Sequence, residues 1–148
     1  MILKLKDRKD PKIAAFLAGD MAKSLENGCI LRNDALVTFA PRSPKAVLET
    51  GTDQARELSK ALADFCTLEH ACTLKNEGGA GQKTLSAGER LQNANARFAL
   101  AKNCPNLQGR QVILVDDILT SGATLSVCAR LLSEGGAAQV ICLAAGRR

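Results

Sequence analysis

The sequence predicts an α/β fold in which a parallel sheet is flanked by helices. Two observations carry this expectation. Apolar strand-like runs alternate with segments of helical periodicity, the order of βαβ units. The strand read at 111–115 (QVILV) is continuously apolar after Gln111, as in a strand covered on both faces. A length of 148 residues with 46% apolar composition suits one domain with one core, taken to occupy residues 1–148.

The elements follow in order. Asp10-Pro11 pairs an N-cap residue with proline at the first helical position. Ile13, Phe16, Leu17, Met21 and Leu25 then recur at helical spacing until Asn27-Gly28 stops the pattern. Residues 35–40 (ALVTFA) read as a buried strand that ends at Pro41-Arg42-Ser43-Pro44-Lys45, where proline lacks the ladder N–H. Gly51-Thr52 opens a second helix with Ala55, Leu58, Leu62 and Phe65 on one side. Residues 72–74 suggest a short strand, and 76–82 (NEGGAGQ) a glycine-bearing loop. Ser86 and Glu89 form a capping-box pair before a short helix to about residue 95, and 98–101 suggest another strand or bridge. After strand 111–115, a helix runs from about Gly122 to Ser133 with Leu125, Cys128, Leu131 and Leu132 as its apolar members. Gly135-Gly136 ends it, and residues 140–143 form the last strand. The sum is a Rossmann-like parallel sheet between helices.

Composition narrows the function. Net charge is +5, which suits an anionic partner such as phosphate esters, nucleic acid or an acidic membrane surface. The densest basic group (Lys4, Lys6, Arg8, Lys9, Lys12) reads first as a solvated edge. Trp and Tyr are absent and the four Phe are scattered, which argues against an aromatic platform for bases. The six cysteines contain no CxxC pair and His70 is the only histidine, so structural zinc spacing is missing. Cys128 and Cys142 fall in apolar surroundings and read as small buried hydrophobes. The N-terminus has no continuous apolar h-region and no apolar run nears a membrane span, so a cytoplasmic location is expected.

The chemistry concentrates in residues 112–124, VILVDDILTSGAT. An apolar strand drives into Asp116 and Asp117, where open parallel sheets bind ligands beyond their strand ends. Thr120, Ser121, Gly122, Ala123 and Thr124 then open a helix. Unpaired N–H groups, the helix dipole and three hydroxyls make an anion cradle there. Carboxylates beside a phosphate cradle call for hydroxyl groups or a divalent cation, the pattern a sugar phosphate fits. The alternative is a solvated Asp-Asp turn followed by an ordinary helix cap.

This stretch resembles the phosphoribosyl pyrophosphate (PRPP) signature of type I phosphoribosyltransferases, and the rest of the chain resembles their ComF/GntX-like branch. The latter rests on the Leu-Lys lead-in of residues 1–12, the strand ending in Pro41, and Gln82-x-x-Leu85-x-x-x-x-Arg90-x-x-Asn93. The resemblance implies the type I phosphoribosyltransferase fold and transfer of phosphoribose from PRPP to an acceptor with release of pyrophosphate. It implies that Asp116 and Asp117 hold the ribose hydroxyls, with Mg²⁺ reached through those hydroxyls or water, and that residues 120–124 wrap the 5′-phosphate. Arg42, Ser43 and Lys45 would contact pyrophosphate, and the glycine loop with Lys75, Gln82, Lys83 and Arg90 would close over the site. Arg90 and Lys83 are the candidate catalytic residues. A competence or DNA-uptake partner and a homodimer are implied in the same way.

Three departures stand out. The branch's Arg-Gly-Phe-Asn-Gln-Ala block corresponds here to Thr50-Gly51-Thr52-Asp53-Gln54-Ala55, and its N-terminal zinc module has no counterpart in these residues. Thr120 replaces the purine-directed carboxylate of other type I members, which argues against 6-oxopurine salvage. Three readings stay open: a transferase, a non-catalytic PRPP- or nucleotide-binding regulatory module, and direct DNA binding through the basic surface.

Overall fold

The computed structural model describes residues 11–28, 31–78, 97–119 and 121–147. Its elements are α1 (Pro11–Gly28), β1 (Leu36–Phe39), α2 (Pro44–Thr50), α3 (Gln54–Cys66), β2 (Glu69–His70), β3 (Leu74–Asn76), β4 (Phe98–Leu100), β5 (Gln111–Leu119), α4 (Ala123–Glu134) and β6 (Gln139–Arg147). β2, β1, β5 and β6 form one sheet in that order, every neighbouring pair parallel. β3 and β4 make a separate antiparallel pair, Asn76 opposite Phe98 and Leu74 opposite Leu100.

Alternation along β5 builds the core. Ile113 and Val115 face one side, joining Leu17, Met21 and Leu25 of α1 and Leu58 and Leu62 of α3. Val112 and Leu114 face the other, joining Leu125, Cys128 and Leu132 of α4 with Leu74 and Phe98 of the β3–β4 pair. Successive side chains of a strand point to opposite faces, so a continuous apolar run needs cover on both, as the sequence implied.

The connections place the site. β1 leads through α2 and α3 to β2 on its outer side, and β5 leads through α4 to β6 on the other. The chain therefore leaves the adjacent strands β1 and β5 in opposite directions, with α3 and α4 on opposite faces. Such a divergence opens a crevice at the carboxyl ends of the two strands.

Several expectations change. Strand 111–115 runs on to Leu119, because β6 accompanies it as far as Leu119 opposite Arg147. β6 is correspondingly longer than residues 140–143. Pro44 and Lys45, expected as part of the strand terminator, instead begin α2: Ser43 Oγ accepts from the Ala46 N–H and Pro44 occupies the first turn. Gly51 closes that helix at φ 70°, and Asp53 caps α3, so Gly51-Thr52 separates two helices. The short strand expected at 72–74 begins instead at Leu74. Phe65 stands 62% exposed at the rim of the α3 stripe, over Gly19 of α1, and Phe16 is 55% exposed. Cys128 is buried, whereas Cys142 is exposed: it lies on the edge strand β6, on the face opposite Ile141 and Leu143, which pack against the core with α1 and α3. The capping box at Ser86 and the helix after it lie outside the described residues. Among the described residues no helix is long and apolar enough to cross a membrane.

Candidate functional site

The crevice between β1 and β5 is a pocket of about 230 Å³. Three segments wall it: the loop after β1 (Ala40, Pro41, Arg42, Ser43), the end of β5 with the start of α4, and the β3–β4 pair through Asn76 and Arg97. β1 pairs with β5 only up to Phe39 opposite Val115, although the Ala40 N–H still reaches the Val115 carbonyl at 2.9 Å. Asp116 and Asp117 thus keep β6 on one side and open onto the pocket on the other.

The two carboxylates are tied locally. Asp116 Oδ1 accepts from the Asp117 N–H at 2.8 Å, and Asp117 Oδ1 from the Ile118 N–H at 2.8 Å. Burial pushes the Asp116 carboxyl up to about 7. The Asp117 N–H works against this shift, while the Asp117 side chain and Asp53 reinforce it. A carboxyl in this state favours a partner that offers hydroxyl donors or positive charge.

At the pocket's other end Gly122 takes φ 75° and caps α4 without any side-chain bond to the helix. A side chain at that φ would be strained, so glycine lets the chain turn there. Gly122 and Thr124 line the pocket, and Ser121 Oγ accepts from the Ala123 N–H at 3.4 Å. The first-turn N–H groups of α4 and its dipole favour an anion at this end. Thr120 lies outside the described residues.

The basic loop after β1 behaves differently from its reading in the sequence. Arg42 and Ser43 line the pocket, and Lys45 does not. Lys45 sits 4.0 Å from Glu49 on the exposed side of α2. Arg42 Nη1 donates to Thr50 Oγ1 at 3.2 Å, the Thr52 carbonyl at 3.5 Å and Gln54 Oε1 at 2.9 Å. Its N–H donates to Asp53 Oδ2 at 3.2 Å, while Asp53 Oδ1 caps α3 through the Arg56 N–H. The Thr50-Gly51-Thr52-Asp53-Gln54 block therefore anchors Arg42. Ser43 is spent as the α2 cap.

Asn76 and Arg97 were missed in the sequence. Asn76 Nδ2 donates to the Pro41 carbonyl at 3.0 Å, and its Oδ1 accepts from the Gly78 N–H at 2.9 Å. The only local signal for Arg97 is its position before the apolar Phe98-Ala-Leu run. Lys75 pairs with Glu77 outside the pocket lining. Gln82, Lys83, Arg90 and Asn93 lie outside the described residues. His70 stacks on Phe39 at 5.9 Å and meets Ser59 Oγ at 2.8 Å, away from the pocket.

The sequence profile of the phosphoribosyl transferase domain matches residues 46–147. Over 97 residues the chain is 38% identical to the DNA utilization protein YhgH of Escherichia coli (strain K12), covering 63% of this chain and 41% of that protein. It is 39% identical over 59 residues to Competence protein F of Haemophilus influenzae, covering 40% of this chain and 26% of that one. The solved adenine phosphoribosyltransferase from Thermoanaerobacter pseudethanolicus superposes with a TM-score of 0.56 at 18% identity, over 95% of this chain and 83% of that chain. That last likeness is one of fold. The chain spans about two fifths of the length of the DNA utilization proteins it matches.

Proposed function

This chain belongs to the type I phosphoribosyltransferase family, in its ComF-like branch, and from that premise we propose that it binds PRPP in the β1–β5 crevice and transfers the phosphoribosyl group to an acceptor, releasing pyrophosphate. One observation carries the proposal: two adjacent carboxylates and an open helix N-terminus share one pocket. Asp116 and Asp117 accept hydrogen bonds from the ribose 2′ and 3′ hydroxyls. The α4 N-terminus with Ser121, Gly122, Ala123 and Thr124 takes the 5′-phosphate, and Thr120 belongs to the same loop. Mg²⁺ suits this donor set as a guest of the ligand's phosphates. Among the described residues no group of three or more metal-ligating side chains exists, and Mg²⁺ often binds through one or two carboxylates plus phosphate. Asp116 and Asp117 would hold the ion through water or ribose hydroxyls, and it supplies neutralisation of the leaving pyrophosphate.

Bond breaking at the anomeric carbon builds positive charge on the sugar and negative charge on pyrophosphate. The protein's task is to hold both ends in register and exclude water. Arg90 and Lys83, on the segment between β3 and β4, are proposed to cover the pyrophosphate during the reaction. The acceptor is a nucleophile whose identity the pocket leaves open.

A second reading is a binding module without transfer, working with a DNA-uptake or competence partner. The internal engagement of Arg42 favours it, because Nη1 of that cation donates to Thr50, Thr52 and Gln54 rather than into the pocket. Thermal unfolding with PRPP, with and without Mg²⁺, tests the shared premise. A ligand at about 100 times its Kd stabilises by about 2.7 kcal/mol. We expect a Tm rise of several degrees with Mg²⁺, lost in the Asp116→Asn/Asp117→Asn double variant. No shift at millimolar PRPP would end both readings. Pyrophosphate release on adding a panel of bases and amines separates them, since only a transferase gives it.

A further inference from the structure

On the β1 side of the pocket one cation, Arg42, stands in the lining with part of its guanidinium already engaged. Arg42 donates inward through Nη1 and Lys45 faces Glu49 in solvent. One further cation stands on the wall among the described residues, and it is Arg97.

Arg97 directly precedes β4, and its carbonyl accepts from the Glu77 N–H at 2.8 Å. The neighbouring cross-strand pair is Asn76 with Phe98. Asn76 in turn grips the Pro41 carbonyl, so this end of the β3–β4 pair is fastened to the loop after β1. Phe98 anchors it from below, buried with Leu114 and Leu125. A rigid mount thus presents Arg97 beside the β1 loop.

Among the described residues the fold makes no hydrogen bond or ion pair with this side chain. Its Nε is shut off from solvent with no hydrogen-bond partner, and none of the ion pairs among the described residues includes it. A buried charged donor left unpaired is costly, and a structural arginine at a pocket wall would take a carbonyl or carboxylate. A planar guanidinium matches the oxygens of a phosphate group and binds them through two N–H groups.

We infer that Arg97 is a ligand-binding residue that takes an anionic oxygen group of the bound molecule, the diphosphate end of the phosphoribosyl donor. The name of the donor rests on the function proposed above. That a phosphate-type anion is held there rests on Arg97's own geometry. The fastening to Pro41 sets Arg97 on the β1 side, while Gly122 and Thr124 serve the 5′-phosphate.

Calorimetric titration of wild type, Arg97→Met and Arg97→Lys tests this, using PRPP with Mg²⁺, inorganic pyrophosphate with Mg²⁺, and ribose 5-phosphate. Arg97→Met should weaken PRPP and pyrophosphate roughly 10- to 100-fold, the range for a charge-assisted hydrogen bond. Ribose 5-phosphate should change by less than about twofold. Arg97→Lys, which keeps the charge and loses the fork, should fall between. Unliganded Arg97→Met should melt no lower than wild type, because an unpaired buried donor has been removed. Unchanged PRPP affinity in folded Arg97→Met overturns the inference. An equal loss for ribose 5-phosphate overturns the diphosphate assignment, and a lower unliganded Tm with unchanged affinities makes Arg97 structural. Should wild type not bind PRPP, the proposed function fails. Pyrophosphate then decides: Arg97-dependent binding keeps the inference, and no binding removes it.

Discussion

Near neutral pH the Asp116 carboxyl is poised between its two charge states, because burial pushes it up to about 7. Its folded value lies above the unfolded one, so the folded state holds the extra proton between roughly pH 4 and 7. Stability from this group therefore falls as pH rises through that window and levels off above it. Asp116→Asn should raise the unliganded Tm by a few degrees at pH 8 and by less at pH 5, measured by calorimetry. Binding that uses the ionised carboxylate must release the proton, so PRPP affinity should climb from pH 6 to 7 and flatten by pH 8. Titration in two buffers of different ionisation enthalpy reads that proton directly, and equal heats in both at pH 6 would contradict it. Asp116 and Asp117 were legible in the sequence because chain adjacency puts them together. Arg42 was legible as a residue but not in its role, since its acceptors Thr50, Thr52 and Gln54 belong to the α2–α3 junction. Asn76 and Arg97 were illegible because strand pairing, not spacing, brings them to the pocket.

Among elements, the periodic ones were readable and the short ones were not. α1 carries Leu17, Met21 and Leu25 on one buried stripe, and α3 carries Leu58 and Leu62. Helical period records such one-sided burial. α2 has no buried residue, so only Ser43-Pro44 marks it, and that pair was read as a strand terminator. β3 and β4 are three residues each, too short for an alternation to show. They pack on the sheet through Leu74 and Phe98, and one polar contact joins this apolar layer just before β3: Thr38 Oγ1 and Thr73 Oγ1 lie 2.7 Å apart, both residues fully buried. Thr38→Val should cost about 1–3 kcal/mol in urea unfolding, because it strands the Thr73 hydroxyl. Adding Thr73→Val should recover part of that loss. A single variant as stable as wild type would show the pair contributes nothing.

Across the whole molecule the sheet ties two cores together, since β1 and β5 each bury residues on both faces. Ile113→Ala and Leu114→Ala remove side chains from opposite faces of one strand. Each should cost about 2–5 kcal/mol. A coupled structure loses both cores in one transition, so helical and near-β5 probes should melt together in each variant; separate melts would show that the faces unfold independently. The sequence by itself determined the fold class, the alternation of strands and helices, and the Asp116-Asp117 to Thr124 signature, because burial period and chain adjacency are local records. Tertiary structure decided where β5 stops, which cations face the pocket and which brace the fold. It did so because β1 ends before β5, and because the β3–β4 pair brings Arg97 to the pocket from outside the signature. Those are outcomes of pairing between distant segments, which local pattern does not encode.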